Sequence, residues 1–445
     1  MRGKRRLWVR VAVGLLVVVV VAAVGGYWYE RPLLRTGTGY AAHSACALDT
    51  IAHRPMTDDL PPNPLVPYLR FGADAGGYRG SVLGALAAQQ AWAVDGFGCT
   101  LAPQRPSFGA ATPISAAANP LTTQPTPSPG PALERALATA FGDDLDQAGR
   151  DRLGTRGVVV VRDGRIVAER YAGGFSAGTP QLGWSMAKSA TSLLTGIMVA
   201  KGKVALADDR LRPEWTDERA RITVEDLLRM RSGLAWDETY DLGTTITAML
   251  YDQPDMASFV ASQPLAHPVG AVQQYSSGST TLLCGVLRTK TGQGADLPRA
   301  ELLAPLGLSS AVWEADATGT PVCSSYLWAT PRDWAALGQF ALADGVWNGR
   351  RLLPEGWMRQ TTTVVTPPSA EDPNYAAGWW ANLTASGSVV DQRLPRDAYW
   401  ASGHDGQRVY VVPSAKLVVV RLGFSPVADD LRTEQLVADV ITALG

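Results

Sequence analysis

Ser185-Met186-Ala187-Lys188 is the one place in this 445-residue chain where a serine and a lysine stand in the spacing S-x-x-K. On a helix, residues three apart share a face, so the hydroxyl and the amine can touch. A serine hydroxyl is a poor nucleophile until a base takes its proton. A lysine can be that base only if desolvation or a nearby cation lowers its pKa, and Met186, Ala187, Ala190 and Leu193 make the neighbourhood apolar. The chain also uses lysine sparingly. Of its 40 basic residues only six are lysines: Lys4, Lys188, Lys201, Lys203, Lys290 and Lys416. A lysine inside a chain that writes arginine by habit suggests a proton that must come off, which arginine cannot release. A serine opening a helix also gains from the backbone N–H groups there, which favour developing negative charge.

Two later segments could join this pair. Gln274-Tyr275-Ser276-Ser277-Gly278 precedes an apolar stretch at 281–287, so Tyr275 and Ser277 sit where a loop enters a helix. Ser402-Gly403-His404-Asp405-Gly406-Gln407 runs into a strand-like stretch at 408–412, and Gly406 is expected to let a substrate approach the strand backbone. Trp379, Trp380 and Trp400 could line a substrate cleft, with core packing as the competing reading. His43, His53 and His267 read as solvated or satisfied. Asp143-Asp144 and Asp208-Asp209 read as surface or capping groups. There is no C-x-x-C and no His pair at i, i+4, so no metal site is expected.

The elements that must position these residues are legible around them. Residues 157–161 form a strand by composition, Arg162-Asp163-Gly164-Arg165 a hairpin turn, and 166–171 the returning strand. Residues 185–200 read as a helix, with Leu193, Leu194, Ile197 and Met198 at apolar positions. Two more strands follow at 407–412 and 416–423, and an amphipathic helix at 427–444 closes the chain. Strands first and last, with helices between, predict one antiparallel sheet built from both ends of the domain and a helical insertion.

The three segments, in this order, resemble the serine β-lactamase and penicillin-binding-protein superfamily. Its motifs are S-x-x-K, then Y-x-N or S-x-N, then K-T-G or H-x-G. Here they read Ser185–Lys188, Tyr275–Ser277 and His404–Gly406. Leu227-Leu228-Arg229-Met230-Arg231-Ser232-Gly233-Leu234 is similar to the LL-x-M-x-S-G-L segment that these hydrolases carry between the first two motifs. The resemblance covers residues 135–445 and is strongest to class C β-lactamase-like esterases and 6-aminohexanoate-dimer hydrolases. It implies an α/β (α+β) fold in which an antiparallel sheet of N- and C-terminal strands is flanked by helices and joined by a helical subdomain. It also implies a serine hydrolase acting through an acyl-enzyme on a small ester or amide, with no cofactor. Carried over residue by residue, Ser185 is the nucleophile, Lys188 its base and Tyr275 a proton relay. His404 sits beside the cleft and helps fix charge. The backbone N–H groups of Ser185 and Gln407 form the oxyanion hole. Ser277, Gly406, Gln407, Trp379 and Tyr240 are the substrate-binding candidates; Tyr240 falls where the amide-hydrolysing subgroup carries an extra tyrosine, with an ordinary loop aromatic as the competing reading.

Two departures bear on the substrate. Ser277 stands where many members have Asn, and His404-Asp405-Gly406 replaces Lys-Thr-Gly, losing a permanent cation that grips a substrate carboxylate. Both point away from penicillin or a D-alanyl peptide, although a β-lactamase or D-amino-peptidase remains an alternative. A Ser-His-Asp triad is a rival, since Gly183-Trp184-Ser185-Met186-Ala187 faintly echoes G-x-S-x-G and His404 follows it. No apolar strand leads into Ser185, which counts against that rival. A non-catalytic penicillin-binding-like sensor on the membrane is a second one.

The chain opens Met1-Arg2-Gly3-Lys4-Arg5-Arg6 and continues as an uncharged run from 11 to 29, long enough to cross a bilayer, with Tyr27, Trp28 and Tyr29 resembling an interfacial aromatic belt. Basic residues before the run predict a single-pass membrane protein with everything after residue 30 outside the cytoplasm. A cleaved signal peptide is the alternative. An oxidising compartment allows disulfides; Cys46 and Cys99 are the pair expected, and Cys284, in an apolar helical pattern, reads as a buried thiol. Residues 1–30 are thus read as a cytoplasmic stub and anchor, and 31–101 as a small extracytoplasmic region. Residues 102–130, rich in Pro, Ser and Thr, are read as a linker or exposed loop, and 131–445 as the hydrolase domain. The net charge of -1 provides no basic field for nucleic acid, so the expected partners are a small-molecule substrate and the membrane.

Overall fold

The computed structural model describes residues 2–365, 367 and 369–445; Met1, which heads the basic N-terminal run, lies outside them. The chain opens with helix α1 (Arg2–Thr50), followed by strands β1 (Leu69–Asp74), β2 (Gly77–Val82), β3 (Leu86–Val94) and β4 (Gly98–Leu101). Next come helix α2 (Pro131–Ala140), the hairpin β5 (Thr155–Arg162) and β6 (Arg165–Tyr171), and the helices α3 (Met186–Ala200), α4 (Ser277–Thr291) and α5 (Pro331–Leu342). The last elements that position the site are β7 (Trp380–Ala381), β8 (Tyr399–Gly403), β9 (Gln407–Val412), β10 (Leu417–Gly423) and helix α6 (Thr433–Leu444).

Valine runs from opposite ends of the domain pair directly. The main sheet has the order β7-β8-β9-β10-β5-β6. Val418 stands opposite Val161, and Val420 opposite Val159, in an antiparallel ladder. Runs rather than alternation are needed because both faces are covered. Val158, Val160 and Val419 pack with Leu133, Leu137, Leu436 and Val440 of α2 and α6. Val159, Val161, Val418 and Val420 pack on the other face with α3 and α5. Gly338 lets α5 lie close, since a Cβ there would stand 2.6 Å from Val418 and 2.8 Å from Val409. α6 begins later than the apolar pattern suggests. The Asp430 carboxylate accepts from Arg432 N–H in a turn, and Arg432 takes a left-handed φ of 53° just before the helix.

The N-terminal region is not set apart from the rest. α1 runs past residue 30 to Thr50; its stretch from residue 11 to 26 is exposed and apolar, and Ala41, Ala42, Ala45 and Leu48 in its second half are buried. Gly39 brings it against the body formed by the rest of the chain, where a Cβ would fall 2.0 Å from the Tyr251 carbonyl oxygen. His43 stacks on Tyr326 with centroids 4.2 Å apart, and Cys99 N–H donates to Glu314 Oε1 at 2.8 Å. Residues 102–130 have little regular structure, but they do not hang free as a linker. Leu121 is fully buried, Asn119 Nδ2 donates to Asp333 at 2.7 Å, and Arg332 donates to the carbonyls of Leu121, Thr122 and Gln124. Extended proline-rich backbone leaves its carbonyls unpaired, and a buried arginine satisfies them.

Cys46 and Cys99 are disulfide-bonded, tying α1 to β4. Cys284 is not a thiol. It is bonded to Cys323, 39 residues away, which the helical pattern around it conceals. In the chain-entropy picture a loop of that size is worth about 4 kcal/mol. Cys284→Ala/Cys323→Ala is therefore expected to lose stability of that order in denaturant titration. A loss under about 1 kcal/mol would show that this bridge constrains little.

Candidate functional site

A strained turn presents Ser185. Trp184 has φ of 49°, a region that costs energy for a residue with a Cβ. Packing holds it there: its ring meets His404, Tyr240 and Tyr326 at centroid distances of 5.8, 6.2 and 6.5 Å. Gly183, one residue earlier, lies so close to Trp334 that a Cβ would sit 2.1 Å from the ring. Gly403, at the end of β8, is needed for the same kind of reason, since a Cβ there would be 2.1 Å from the Gly183 carbonyl oxygen. The sheet end therefore abuts the turn that carries Ser185.

Ser185 caps α3, which is buried all round from Met186 to Met198. Lys188, on the first turn of that helix, is 1% exposed. Its Nζ contacts Ser185 Oγ at 2.7 Å, Ser277 Oγ at 2.8 Å and the Ser324 carbonyl oxygen at 3.2 Å. Burial pushes its pKa down to about 8, against the pull of the Glu238 carboxylate, which raises it. The Tyr275 ring lies over the same amine, 4.8 Å from centroid to Nζ, and stacks on Trp380 at 5.7 Å. Burial and the Glu238 charge push the Tyr275 phenol up, with the Ser185 hydroxyl working in the other direction. Tyr275 is thus held protonated while Lys188 is eased toward its neutral form.

Glu238 is the residue the motifs did not reveal. It accepts from Ser277 N–H at 2.8 Å, from the Ser277 hydroxyl and from Trp236 Nε1. Gly278 makes room for this, because a Cβ there would strike the Trp236 ring at 2.6 Å. The LL-x-M-x-S-G-L segment lies beneath. Gln274 N–H donates to the Met230 carbonyl at 2.9 Å, and the hydroxyls of Ser232 and Ser279 are 3.2 Å apart. The Ser324 carbonyl is set by its neighbours: Thr191 donates to the Cys323 carbonyl at 3.0 Å, Thr281 donates to Ser324 Oγ at 3.0 Å, and Cys323 is bridged to α4.

Hydrogen-bond direction then selects one geometry. A carboxylate and a carbonyl can only accept. Ser277 gives its proton to Glu238, so toward Lys188 its oxygen accepts; the Ser324 carbonyl does the same. A neutral amine has two N–H bonds and one lone pair. In the neutral form both N–H bonds are committed to those acceptors and the lone pair is left for Ser185, whereas the ammonium form donates to Ser185 Oγ as well.

The remaining candidates fall differently. His404 is not a partner of Ser185. Its side chain is 41% exposed, its Nε2 lies 3.4 Å from Asp405 Oδ1, and its ring stacks on Tyr240 at 4.5 Å. Ser185 Oγ is in contact with Lys188 and not with a histidine, which argues against a Ser-His-Asp arrangement. Tyr240 lines a cavity of about 180 Å³ together with Trp184, Tyr251, His404, Leu65 and Leu242. Its hydroxyl has no partner among the described residues. Ser277 is fully buried and engaged with Lys188 and Glu238, so its hydroxyl is not free for substrate. Gly406 does not open the backbone to a ligand. With φ of 88° its Cβ position is filled by Arg421 and Leu431, so the glycine serves the turn and the arginine beneath it. The Gln407 side chain is tied at both ends to the Gly423 backbone, leaving only its main chain for a ligand. Trp379 is 2% exposed and packs on Tyr399; it is a core residue, and its neighbour Trp380 is the one beside Tyr275.

An antiparallel sheet closed by strands from both ends, with a serine opening a buried helix beside it, defines the β-lactamase-type fold. The chain belongs to the Beta-lactamase family, whose model matches residues 142–440. It is similar to the 6-aminohexanoate-dimer hydrolase of Paenarthrobacter ureafaciens, 24% identical over 323 residues, covering 66% of this chain and 78% of that protein. Among solved structures it shares its fold with a family VIII carboxylesterase (TM-score 0.52, 15% identity, 71% of this chain and 98% of that one). It also shares it with the class C β-lactamase from Rhodobacter sphaeroides (TM-score 0.51, 15% identity, 71% of this chain and 100% of that one). This is a family of serine hydrolases that includes esterases, amidases and β-lactamases.

Proposed function

We propose that the protein hydrolyses a small ester or amide through an acyl-enzyme on Ser185. The observation that carries this is the Lys188 amine, desolvated, 2.7 Å from Ser185 Oγ and donating to two fixed acceptors, Ser277 Oγ and the Ser324 carbonyl oxygen. In this reading Lys188 takes the Ser185 proton as the Oγ–carbonyl bond forms. The oxyanion is met by the backbone N–H groups of Ser185 and Gln407. The proton passes through Tyr275 to the departing alcohol or amine, and water then releases the acid by the reverse relay. Tyr240 and His404 form the wall that a substrate meets beside Trp184. Residues 11–29 of α1 anchor the chain in a membrane, with the catalytic body outside the cytoplasm; the helix is long and apolar enough to cross and is exposed along that stretch.

The test treats the full chain in detergent with a fluorophosphonate and a chromogenic short-chain ester, beside Ser185→Ala. Labelling and turnover are expected in the parent and neither in the variant. Labelling that survives Ser185→Ala would move the nucleophile elsewhere. The pH profile is a second check. A base must be neutral to act, and a pKa of about 8 leaves about one lysine in ten neutral at pH 7. The expected kcat/KM rises through an apparent pKa near 8. A profile flat from pH 6 to 9 would exclude Lys188 as the titrating base.

A further inference from the structure

One end of the N-terminal sheet and the exposed half of α1 form a continuous apolar surface. The Tyr27 hydroxyl accepts from Ala87 N–H at 3.1 Å, which holds the β2–β3 turn against the helix at the level of Tyr27-Trp28-Tyr29. That turn leaves Leu83 62% and Leu86 41% exposed. Tyr68, whose carbonyl accepts from Leu83 N–H at 2.9 Å, is 55% exposed. Beyond residue 30 the described residues include six exposed large apolar side chains (Tyr68, Leu83, Leu86, Val365, Val390 and Val427), so half of them share this edge. Cations surround it. Arg31 lies over the Trp28 ring at 5.2 Å, Arg79 donates to the Gly84 carbonyl at 3.0 Å, and Arg70 donates to the Pro67 carbonyl at 3.1 Å. The opposite end of the same hairpin, Asp74-Ala75-Gly76, is exposed and carries no large apolar side chain. Aromatic and aliphatic tips ringed by arginines suit the boundary between hydrocarbon and headgroups, where the stems are buried and the charges stay wet.

We propose that Tyr68, Leu83 and Leu86 form a second membrane contact, inserting into the interface of a phospholipid bilayer beside Tyr27, Trp28 and Tyr29. The proposal rests on α1 spanning that bilayer. Two attachments, a helix and a sheet edge, fix how the catalytic body sits. Leu65, Val66 and Leu69 of the same segment line the cavity beside Tyr240 and His404, so that cavity is held on the bilayer side.

All four cysteines are in disulfides, so a single added cysteine can carry an environment-sensitive fluorophore. The full chain is reconstituted in phosphatidylcholine vesicles containing a lipid spin-labelled near the top of its acyl chain. Labels at Val17→Cys and Leu83→Cys are expected to be quenched at least threefold more than one at Ala75→Cys, with Leu86→Cys standing in if Leu83→Cys misfolds. Quenching at Val17 with Leu83 and Leu86 no different from Ala75 would overturn the second contact and leave the span intact. No quenching at Val17 would remove the span, and the proposal with it.

Discussion

Lys188→Met is expected to lower kcat/KM for a short-chain ester by roughly a hundredfold to ten-thousandfold, the scale on which a positioned base contributes. The loss follows from chemistry rather than unfolding, because two stability effects oppose each other. Folding moves the lysine pKa from 10.5 to about 8, so at pH 7 the buried ammonium costs about 3 kcal/mol. The sign is that of a cation whose pKa is depressed by folding: the native state binds fewer protons, and the penalty fades as pH rises from 8 toward 10.5. Methionine removes this penalty but strands the Ser324 carbonyl, at about 1–3 kcal/mol, and takes one donor from the Ser277 oxygen, whose proton stays with Glu238. The melting temperature at pH 7 should therefore move by only a few degrees. A variant that melts as the parent does yet keeps a tenth of its activity would remove Lys188 from the base role. Ser185 would then need another proton acceptor.

Glu238→Gln should move the acid limb of the pH profile down, because it removes the carboxylate that favours the charged lysine. The plateau should fall about tenfold at the same time. A glutamine can still accept the Ser277 proton, but its amide nitrogen cannot accept from Ser277 N–H as well. The lone pair of Lys188 is then less firmly aimed. Glu238→Ala should lose more on the plateau than Glu238→Gln, since nothing then holds the Ser277 proton away from Lys188. An unmoved acid limb in Glu238→Gln would show that the carboxylate acts only as packing for Trp236.

These two residues differ in how far they could be read in advance. Lys188 announces itself by a helix period: three residues from a serine place an amine against a hydroxyl whatever surrounds them. Apolar neighbours along that helix already imply desolvation. Glu238 has no such period. It lies 39 residues before Ser277, and it reaches Ser277 because Gly278 admits the Trp236 ring to the start of α4. The Cys284 bridge escaped for the same reason, since an apolar helical pattern shows which face is buried but not which distant loop is bonded to it.

The chain's local chemistry alone determined the S-x-x-K pair, the Asp-Gly hairpin, the valine strands at both ends of the domain and the apolar N-terminal run. Each rests on spacing or composition within a few residues, where backbone geometry has few choices. Tertiary packing decided the rest. It turned Gly406 from an opening for substrate into a seat for Arg421, put Trp379 in the core and Trp380 beside Tyr275, and gave the Ser277 hydroxyl to Lys188 and Glu238. It also laid residues 102–130 against the body, where Arg332 takes up their carbonyls. Such outcomes depend on which groups from remote segments compete for one small volume and for each hydrogen bond, and spacing along the chain does not encode that competition.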